Sequence, residues 1–555
     1  MATLVLGPLL RHVGDDEATI WVETDSACEV AVLGRRARTF EVEAHHYALV
    51  SLRDLPPGHD EAYEVHLDGE RAWPPEQGWD FPPSRIRVPA DHETIELAFG
   101  SCRVAAPHQP PYVLTKDQDP EGREVDALWA LAHRMRDSPP ASWPDALILL
   151  GDQVYADEVS VATTRSIAAR RPLDQPPGTE VADFEEYTWL YREAWSDPAI
   201  RWLLSTLSSA MIFDDHDVHD DWNTSQAWVD EMRAKPWWSQ RIVGAYASYW
   251  IYQHLGNLSA RGREADALWA AVHDHDGDAG PLVRAFARRA EQEVAGSRWS
   301  YARDFGRTRL LVLDSRAGRM LGKGERAMLS PAEWDWAREQ ATGDFDHLVI
   351  TTSLPYLLAP GMHHLEAWNE AVCDGAWGKA AAGLGEKLRQ GLDLEHWSAF
   401  EACFARMAEL IAEVGSGRRG PAPASIVLLS GDVHHAYVAE AGFPAAAGVR
   451  SAVVQAVCSP VRNPLDARER RVLRTAMSRP AAWAGRALAR SAGVAAPPLR
   501  WRLPEKATFD NQVASLLLDG RSARVRIEKT DPGDWPQPRL HVTLDRRLCH
   551  AEPAR

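Results

Sequence analysis

The stretch Ala146-Leu147-Ile148-Leu149-Leu150-Gly151-Asp152-Gln153-Val154-Tyr155 decides the fold class. Five apolar residues run without a polar break and stop at Gly-Asp. A strand with one wet face alternates polar and apolar residues, whereas a strand covered on both faces reads as a continuous apolar run. The same grammar recurs along the chain. Residues 95–99 lead to Gly100-Ser101-Cys102, and Ala210-Met211-Ile212-Phe213 leads to Asp214-Asp215-His216-Asp217. Arg309-Leu310-Leu311-Val312-Leu313 ends at Asp314-Ser315-Arg316, and Leu348-Val349-Ile350-Thr351-Thr352 ends at Ser353. Ile426-Val427-Leu428-Leu429 ends at Ser430-Gly431-Asp432-Val433-His434-His435. A helical stretch at 126–136 separates two of these runs. The middle of the chain is therefore α/β, with its polar residues at the carboxyl ends of strands, where open α/β sheets place their sites.

Outward from this centre the pattern changes. Residues 1–92 read as short alternating strands, such as Ala18-Thr19-Ile20-Trp21-Val22-Glu23-Thr24, with turn signals at Pro56-Pro57-Gly58 and Asp68-Gly69. That spacing predicts a small β-sandwich of the fibronectin or immunoglobulin type. Residues 93–465 are expected to form the catalytic region, with helical insertions at 183–208, 226–300 and 363–414 that act as walls and lids. Residues 466–555 are expected to add a basic amphipathic helix, broken by Pro480, and further strands packed on that region.

Composition narrows the function. The 555 residues are 45% hydrophobic and 25% charged, which is globular and not disordered. The 23 Trp are read mainly as core and seam residues, because an indole buries a large area. A formal net charge of −18 argues against a nucleic-acid partner, which needs a basic face. It also means that an anionic substrate requires local positive charge, and metal ions are the obvious source. The six cysteines are scattered, with no CxxC pair, so no disulfide framework is predicted. Neither a signal peptide nor a run of about 18 apolar residues is visible, so a cytoplasmic location is expected and membrane association is not. The arginines of 466–495 are expected to pair with the acidic body of the protein.

The strand ends carry the chemistry. Asp152 and Tyr155 lie three apart. Asp214, Asp215, His216, Asp217, His219, Asp220 and Asp221 crowd positions 214–221, and Asp432, His434 and His435 crowd 432–435. Carboxylates gathered at one rim repel one another unless cations neutralise them. Each piece has a bland reading: Asp152 as a helix cap, Tyr155 as core, Cys102 as a small buried hydrophobe. Their joint occurrence at four strand ends resists that reading.

Phe99-Gly100-Ser101-Cys102, Gly151-Asp152-Gln153-Val154-Tyr155-Ala156-Asp157, Asp214-Asp215-His216-Asp217, Leu313-Asp314-Ser315-Arg316 and Ser430-Gly431-Asp432-Val433-His434-His435 resemble the motif series of the PhoD-like alkaline phosphatases/phosphodiesterases, a branch of the calcineurin-like metallophosphoesterases. The order and rough spacing match over about residues 1–465. The resemblance implies a four-layer αββα domain behind the sandwich, and hydrolysis of small phosphate esters. It implies Fe³⁺ held partly by Tyr155 and Cys102, with one or two Ca²⁺ beside it, for which Mg²⁺ or Mn²⁺ could substitute. Asp152 would bridge the metals. Asp215 stands where the superfamily usually has an Asn ligand. Asp432 replaces the first His of the usual Gly-His-x-His motif, and His434 matches the second. Asp221, or alternatively Asp220, would be a further ligand. Asp in place of Asn and His makes the second site harder, favouring Ca²⁺ or Mg²⁺ over zinc. His216 would protonate the leaving group with Asp217 orienting it, and Arg316 would fork to the phosphate. The fourth superfamily motif usually supplies a His, which is missing at Thr352-Ser353. Two other readings stay open: a catalytically weak metal-stabilised binding protein on this fold, and a membrane-surface phospholipid esterase using the 466–495 helix.

Overall fold

The computed structural model describes residues 1–90, 94–293, 297–322 and 324–549. The boundary expected at 92–93 lies outside the described residues. The N-terminal strands form two four-stranded antiparallel sheets. One contains Leu4–Val13, Glu17–Thr24, Phe40–Val42 and His45–Arg53, and the other Glu29–Val32, Arg35–Arg38, Val65–Leu67 and Glu70–Trp73. Their inward residues, among them Ile20, Val22, Val50, Val30, Val65 and Trp73, make a core of their own.

Two larger sheets follow. Thr94–Gly100, Ala146–Leu150 and Ser208–Ile212 run parallel in a six-stranded sheet. Its other three strands, Gln512–Asp519, Ser522–Lys529 and His541–Cys549, come from the end of the chain. The tail therefore enters the sheet itself, antiparallel to Thr94–Gly100. The second sheet has seven strands, of which Thr308–Val312, His347–Thr351, Ser425–Ser430 and Ala452–Val457 are parallel neighbours.

The continuous apolar runs have a simple use. Alternate residues of the seven-stranded sheet face opposite ways. Val349, Val427 and Leu429 join the core shared with Phe99 and Leu149 of the six-stranded sheet. Leu348, Ile350, Ile426 and Leu428 pack against Trp334 of the helix Pro331–Gln340 and against Met407 and Ile411 of the helix Glu401–Ser416. The six-stranded sheet is covered in turn by the helices Ala127–Arg136 and Pro198–Thr206, through Leu128, Leu131 and Leu203. The result is helix, sheet, sheet, helix, with both faces of each central strand dry. Fully buried Trp21, Trp73, Trp202, Trp222, Trp250, Trp334 and Trp397 fill the core and seams. Among the described residues no helix is long and apolar enough to cross a membrane.

The 466–495 segment departs from expectation. Among its described arginines only Arg470 pairs with acids, at Glu124 and Asp510. Arg474 lies over the Phe509 ring and Arg486 meets His364. The helix Arg479–Ser491 buries its small residues Gly485 and Ala489, which turns Arg479, Arg486 and Arg490 outward.

Polar residues lock the sandwich to the α/β layers. His45 bridges Glu23 of the sandwich at 3.1 Å and Glu185 of the helix Phe184–Trp195 at 2.8 Å. Tyr252, in a single π-helical turn at Tyr249–His254, donates to the other Glu23 oxygen at 3.0 Å. Burial disfavours the imidazolium, but the hydrogen bonds to Glu185 and Glu23 prevail and hold its pKa up to about 9. A folded pKa raised above the unfolded value of about 6.5 contributes stability that is full below 6.5 and lost as pH rises through 9. His45→Gln should therefore lower the thermal midpoint most at pH 6, with the deficit shrinking toward pH 10. Melting curves from pH 6 to 10 check this, and an offset constant with pH contradicts it.

Candidate metal centre

Parallel strands deliver their carboxyl ends to one rim, and the two central sheets bring two such rims together. Close approach at this seam depends on glycine. A Cβ on Gly151, which sits at φ +107°, would fall 2.5 Å from the Asp214 Cβ, and one on Gly431 would fall 2.0 Å from the Ser101 Oγ. Immediately beyond, Cys102, Asp152, Asp221, Asp432 and His434 all adopt φ between 51° and 65°. Non-glycine residues visit this left-handed region at a cost, and such residues cluster at functional sites. The local backbone is held by small-residue contacts. The Asp432 N–H donates to Ser101 Oγ at 2.9 Å, and Ser459 Oγ donates to Cys102 Sγ at 3.1 Å.

The residues expected at the rim converge, together with Asp214. Asp152, Asp214 and Asp215 each offer an oxygen within 4.8 Å of the others. Asp152 Oδ1, Asp214 Oδ2 and Asp215 Oδ1 are buried without a hydrogen-bond partner. Burial, with the Asp215 charge next, pushes the Asp152 carboxyl far above its usual range. Burial and then Asp152 raise both the Cys102 thiol and the Tyr155 phenol. The His434 imidazole is driven down to about 3 by burial and stays neutral, the form a metal ligand needs. Buried acids with orphaned oxygens, beside a thiol, a phenol and a neutral imidazole, suit a cation of mixed ligand preference at Cys102, Asp152, Tyr155 and His434. The oxygen-only flank suits a harder one. Asp220 offers an oxygen close to Asp215 and His216, and burial raises its carboxyl to about 7. Asp221 donates its N–H to Asp215 at 3.2 Å, and its carboxyl is raised to about 9 by burial and by Glu395 and Asp393.

Two expectations change. The carboxylate on His216 is Asp157, whose two oxygens both lie 3.0 Å from Nδ1. Burial works against the His216 imidazolium, but Asp157 more than compensates, so its pKa rises well above the ordinary value. Asp217 instead turns back to the main chain. It accepts from the N–H groups of Asp152, Gln153, Val154 and Asp214 at 2.9–3.3 Å, and from Gln253 Nε2 at 3.3 Å. One carboxylate thus ties two strand ends together, because the sharp turns after Gly151 and Phe213 leave those N–H groups without ladder partners.

Arg316 is the second change. It is fully buried and its guanidinium is already engaged. It pairs with Asp214, with Glu395 at 2.5 Å, with Asp215 at 3.3 Å and with Asp432 at 3.5 Å. Its Nη2 makes no hydrogen bond among the described residues and faces Asp215 and Asp432, but the guanidinium has no exposure to solvent through which a phosphate could reach it. Three residues were not expected. Glu395 also pairs with Arg319 at 3.0 Å. His396 reaches Asp432 at 3.1 Å through Nε2 and Glu366 at 2.7 Å through Nδ1. All three come from the helical insertion and follow no strand, so strand-end patterning does not find them. The only signal is the polar triplet Asp393, Glu395 and His396 ahead of buried Trp397. His435 is structural, stacked against Tyr437 and Phe509.

Residues 129–273, which carry Asp152 through Asp221, match the family model of the PhoD-like phosphatases. Residues 1–86 match a family model described as a domain of unknown function, DUF7800. Among solved structures, one titled "Structure of PhoD" superimposes with a TM-score of 0.59 at 13% identity, covering 99% of this chain and 92% of that one. The purple acid phosphatase PPD1 from yellow lupin (Lupinus luteus) seeds gives a TM-score of 0.46 at 10% identity, covering 96% and 73%. No curated protein matches the sequence.

The two carboxylates predict stability losses of different size. Asp217→Asn places an amide against four N–H donors and should cost about 1–3 kcal/mol of stability even in metal-free protein. Asp157→Asn should cost less. Equilibrium urea unfolding of the two apo variants checks the order, and equal losses would refute it.

Proposed function

We propose that this chain is a metal-dependent phosphoric ester hydrolase acting on small phosphate esters, as an alkaline phosphatase or a phosphodiesterase. The PhoD-like phosphatase domain at 129–273 and the PhoD-like fold support metal-dependent phosphoester hydrolysis in general. The observation that carries the finer reading is the set of three orphaned carboxylate oxygens, on Asp152, Asp214 and Asp215, at the rim that also holds Cys102, Tyr155 and His434.

In this reading Asp152 would be a ligand at the heart of a two-cation site. Cys102, Tyr155 and His434 would hold Fe³⁺, while Asp215, Asp221 and Asp432, with Asp214 added, would hold Ca²⁺, or Mg²⁺ or Mn²⁺ in its place. Such cations neutralise phosphoryl charge and lower the pKa of water at the site. The chain's own groups do the rest. His216 is kept protonated by Asp157 and hands a proton to the departing alkoxide. Asp157 fixes the imidazole by holding Nδ1, leaving Nε2 to donate. Asp217 keeps the two ligand-bearing turns in register. Arg316 cancels part of the carboxylate charge from beneath and does not touch substrate. His396 and Glu366 hold Asp432.

Metal analysis alongside hydrolysis of bis(4-nitrophenyl) phosphate, across a panel of added cations, tests the proposal. Asp152→Asn should abolish turnover, and Tyr155→Phe should remove any tyrosinate-to-iron visible band. Full activity in Asp152→Asn would sink the site, and an active colourless enzyme without iron would sink the iron assignment. His216→Asn should lower kcat by about 10²–10⁴ for an alkyl ester. The loss should be smaller for 4-nitrophenolate, a leaving group that needs little protonation.

A further inference from the structure

A cavity of about 290 Å³ lies directly behind Tyr155. Its walls are continuations of the two segments that form the rim. One wall, with Val104 and Ala105, begins two residues after Cys102. The other contains Val154 and Tyr155 themselves, then Val159 and Ala162 at the start of the helix Val161–Arg170. Leu190 of the helix Phe184–Trp195 closes the back. Tyr155 is thus common to the cavity lining and the candidate centre, and His216 lies against its ring with centroids 4.6 Å apart.

The lining tells what fits. Most of it is aliphatic. Its two cations are spent on the protein: Arg103 bonds Asp126 at 2.8 Å and the Ala194 carbonyl at 2.7 Å, and Arg123 bonds the carbonyls of Pro120 and Gly122. Its remaining charges are the carboxylates of Glu121, Glu158 and Glu193. A second phosphate would meet acid without free base. An uncharged carbon group would meet apolar wall, the ordinary character of a ligand pocket. A cavity of roughly 150 Å³ holds benzene, so this one has room for a ring or a medium alkyl chain.

We propose that this cavity binds the uncharged, apolar alcohol portion of the ester, an alkyl chain or a single aromatic ring, on the His216 side of the phosphorus. The proposal rests on the phosphoesterase reading and specifies its substrate class. Esters of apolar alcohols are preferred, and those whose alcohol carries a second phosphate are excluded.

The test uses the full chain loaded with metal. Methylphosphonate, hexylphosphonate and phenylphosphonate are titrated calorimetrically and as competitive inhibitors of bis(4-nitrophenyl) phosphate hydrolysis. Hexyl- and phenylphosphonate should bind at least about tenfold tighter than methylphosphonate, from apolar burial. In Ala162→Trp, whose indole fills the cavity from an exposed lip position, the three should converge to within about twofold, with methylphosphonate unchanged. Val159→Ser, a smaller change to the same wall, should reduce the advantage without filling the space. Equal affinities in the unmodified protein, with hydrolysis intact, overturn the proposal alone. An advantage that survives in both variants overturns it too. Absence of methylphosphonate binding together with absence of hydrolysis overturns the phosphoesterase reading, and the proposal with it.

Discussion

Carboxylates confined to one dry rim repel one another, and the rest of this structure is arranged around that repulsion. Asp214, Asp215, Asp432 and Glu395 face a single guanidinium, that of Arg316, which has no exposure to solvent. Arg319 shares Glu395 and His396 shares Asp432, so the unbalanced acids are Asp214 and Asp215, with Asp152 beside them. Burial, with neighbouring charge, pushes the Asp152 and Asp214 carboxyls upward, and oxygens of Asp152, Asp214 and Asp215 lack partners, whereas the basic partners of Asp432 and Glu395 outweigh burial and hold those two low. In a medium of low dielectric such a cluster is costly unless cations complete it.

The scaffold keeps that cluster from relaxing. Asp217 gathers N–H groups from two different turns, and Gln253 gathers Asp217 in its turn. Gln253 belongs to the π-helical turn whose neighbour Tyr252 holds Glu23 of the sandwich. A short chain of hydrogen bonds therefore runs from the N-terminal sheets to the turn that carries Asp152. The sandwich acts as a buttress of the rim. The C-terminal strands play a comparable part on the other side, because Gln512–Asp519 pairs with the strand that delivers Cys102.

Much of this was legible in the chain. Apolar runs that end in Gly-Asp, Asp-Asp-His or Gly-Asp-Val-His mark strands buried on both faces, and chain order alone places their ends on one side of a parallel sheet. The insertion was opaque. Glu366, Glu395 and His396 sit in or beside helices, where a polar residue has many ordinary uses. Only the packing of those helices over the rim gives these three a purpose. Asp217 was expected beside His216, where the fold instead puts Asp157. Each lies within a few residues of His216 or Asp152, and the turn geometry decides which faces the imidazole and which faces the amides.

By itself the sequence determined the α/β class, the strand ends that carry polar residues, and the kind of atom each end supplies, because burial pattern and side-chain chemistry are local properties; the layer order came from the resemblance to a known family. Tertiary structure alone decided how charges pair. Arg316 reads as a free fork at a strand end until the fold closes four carboxylates around it. The arginines of 466–495 read as partners for an acidic body until the helix Arg479–Ser491 packs on its small residues and turns Arg479, Arg486 and Arg490 outward, leaving Arg470 paired with acids. Pairing depends on distances between segments hundreds of residues apart, and Coulomb energy falls with distance, not with separation along the chain.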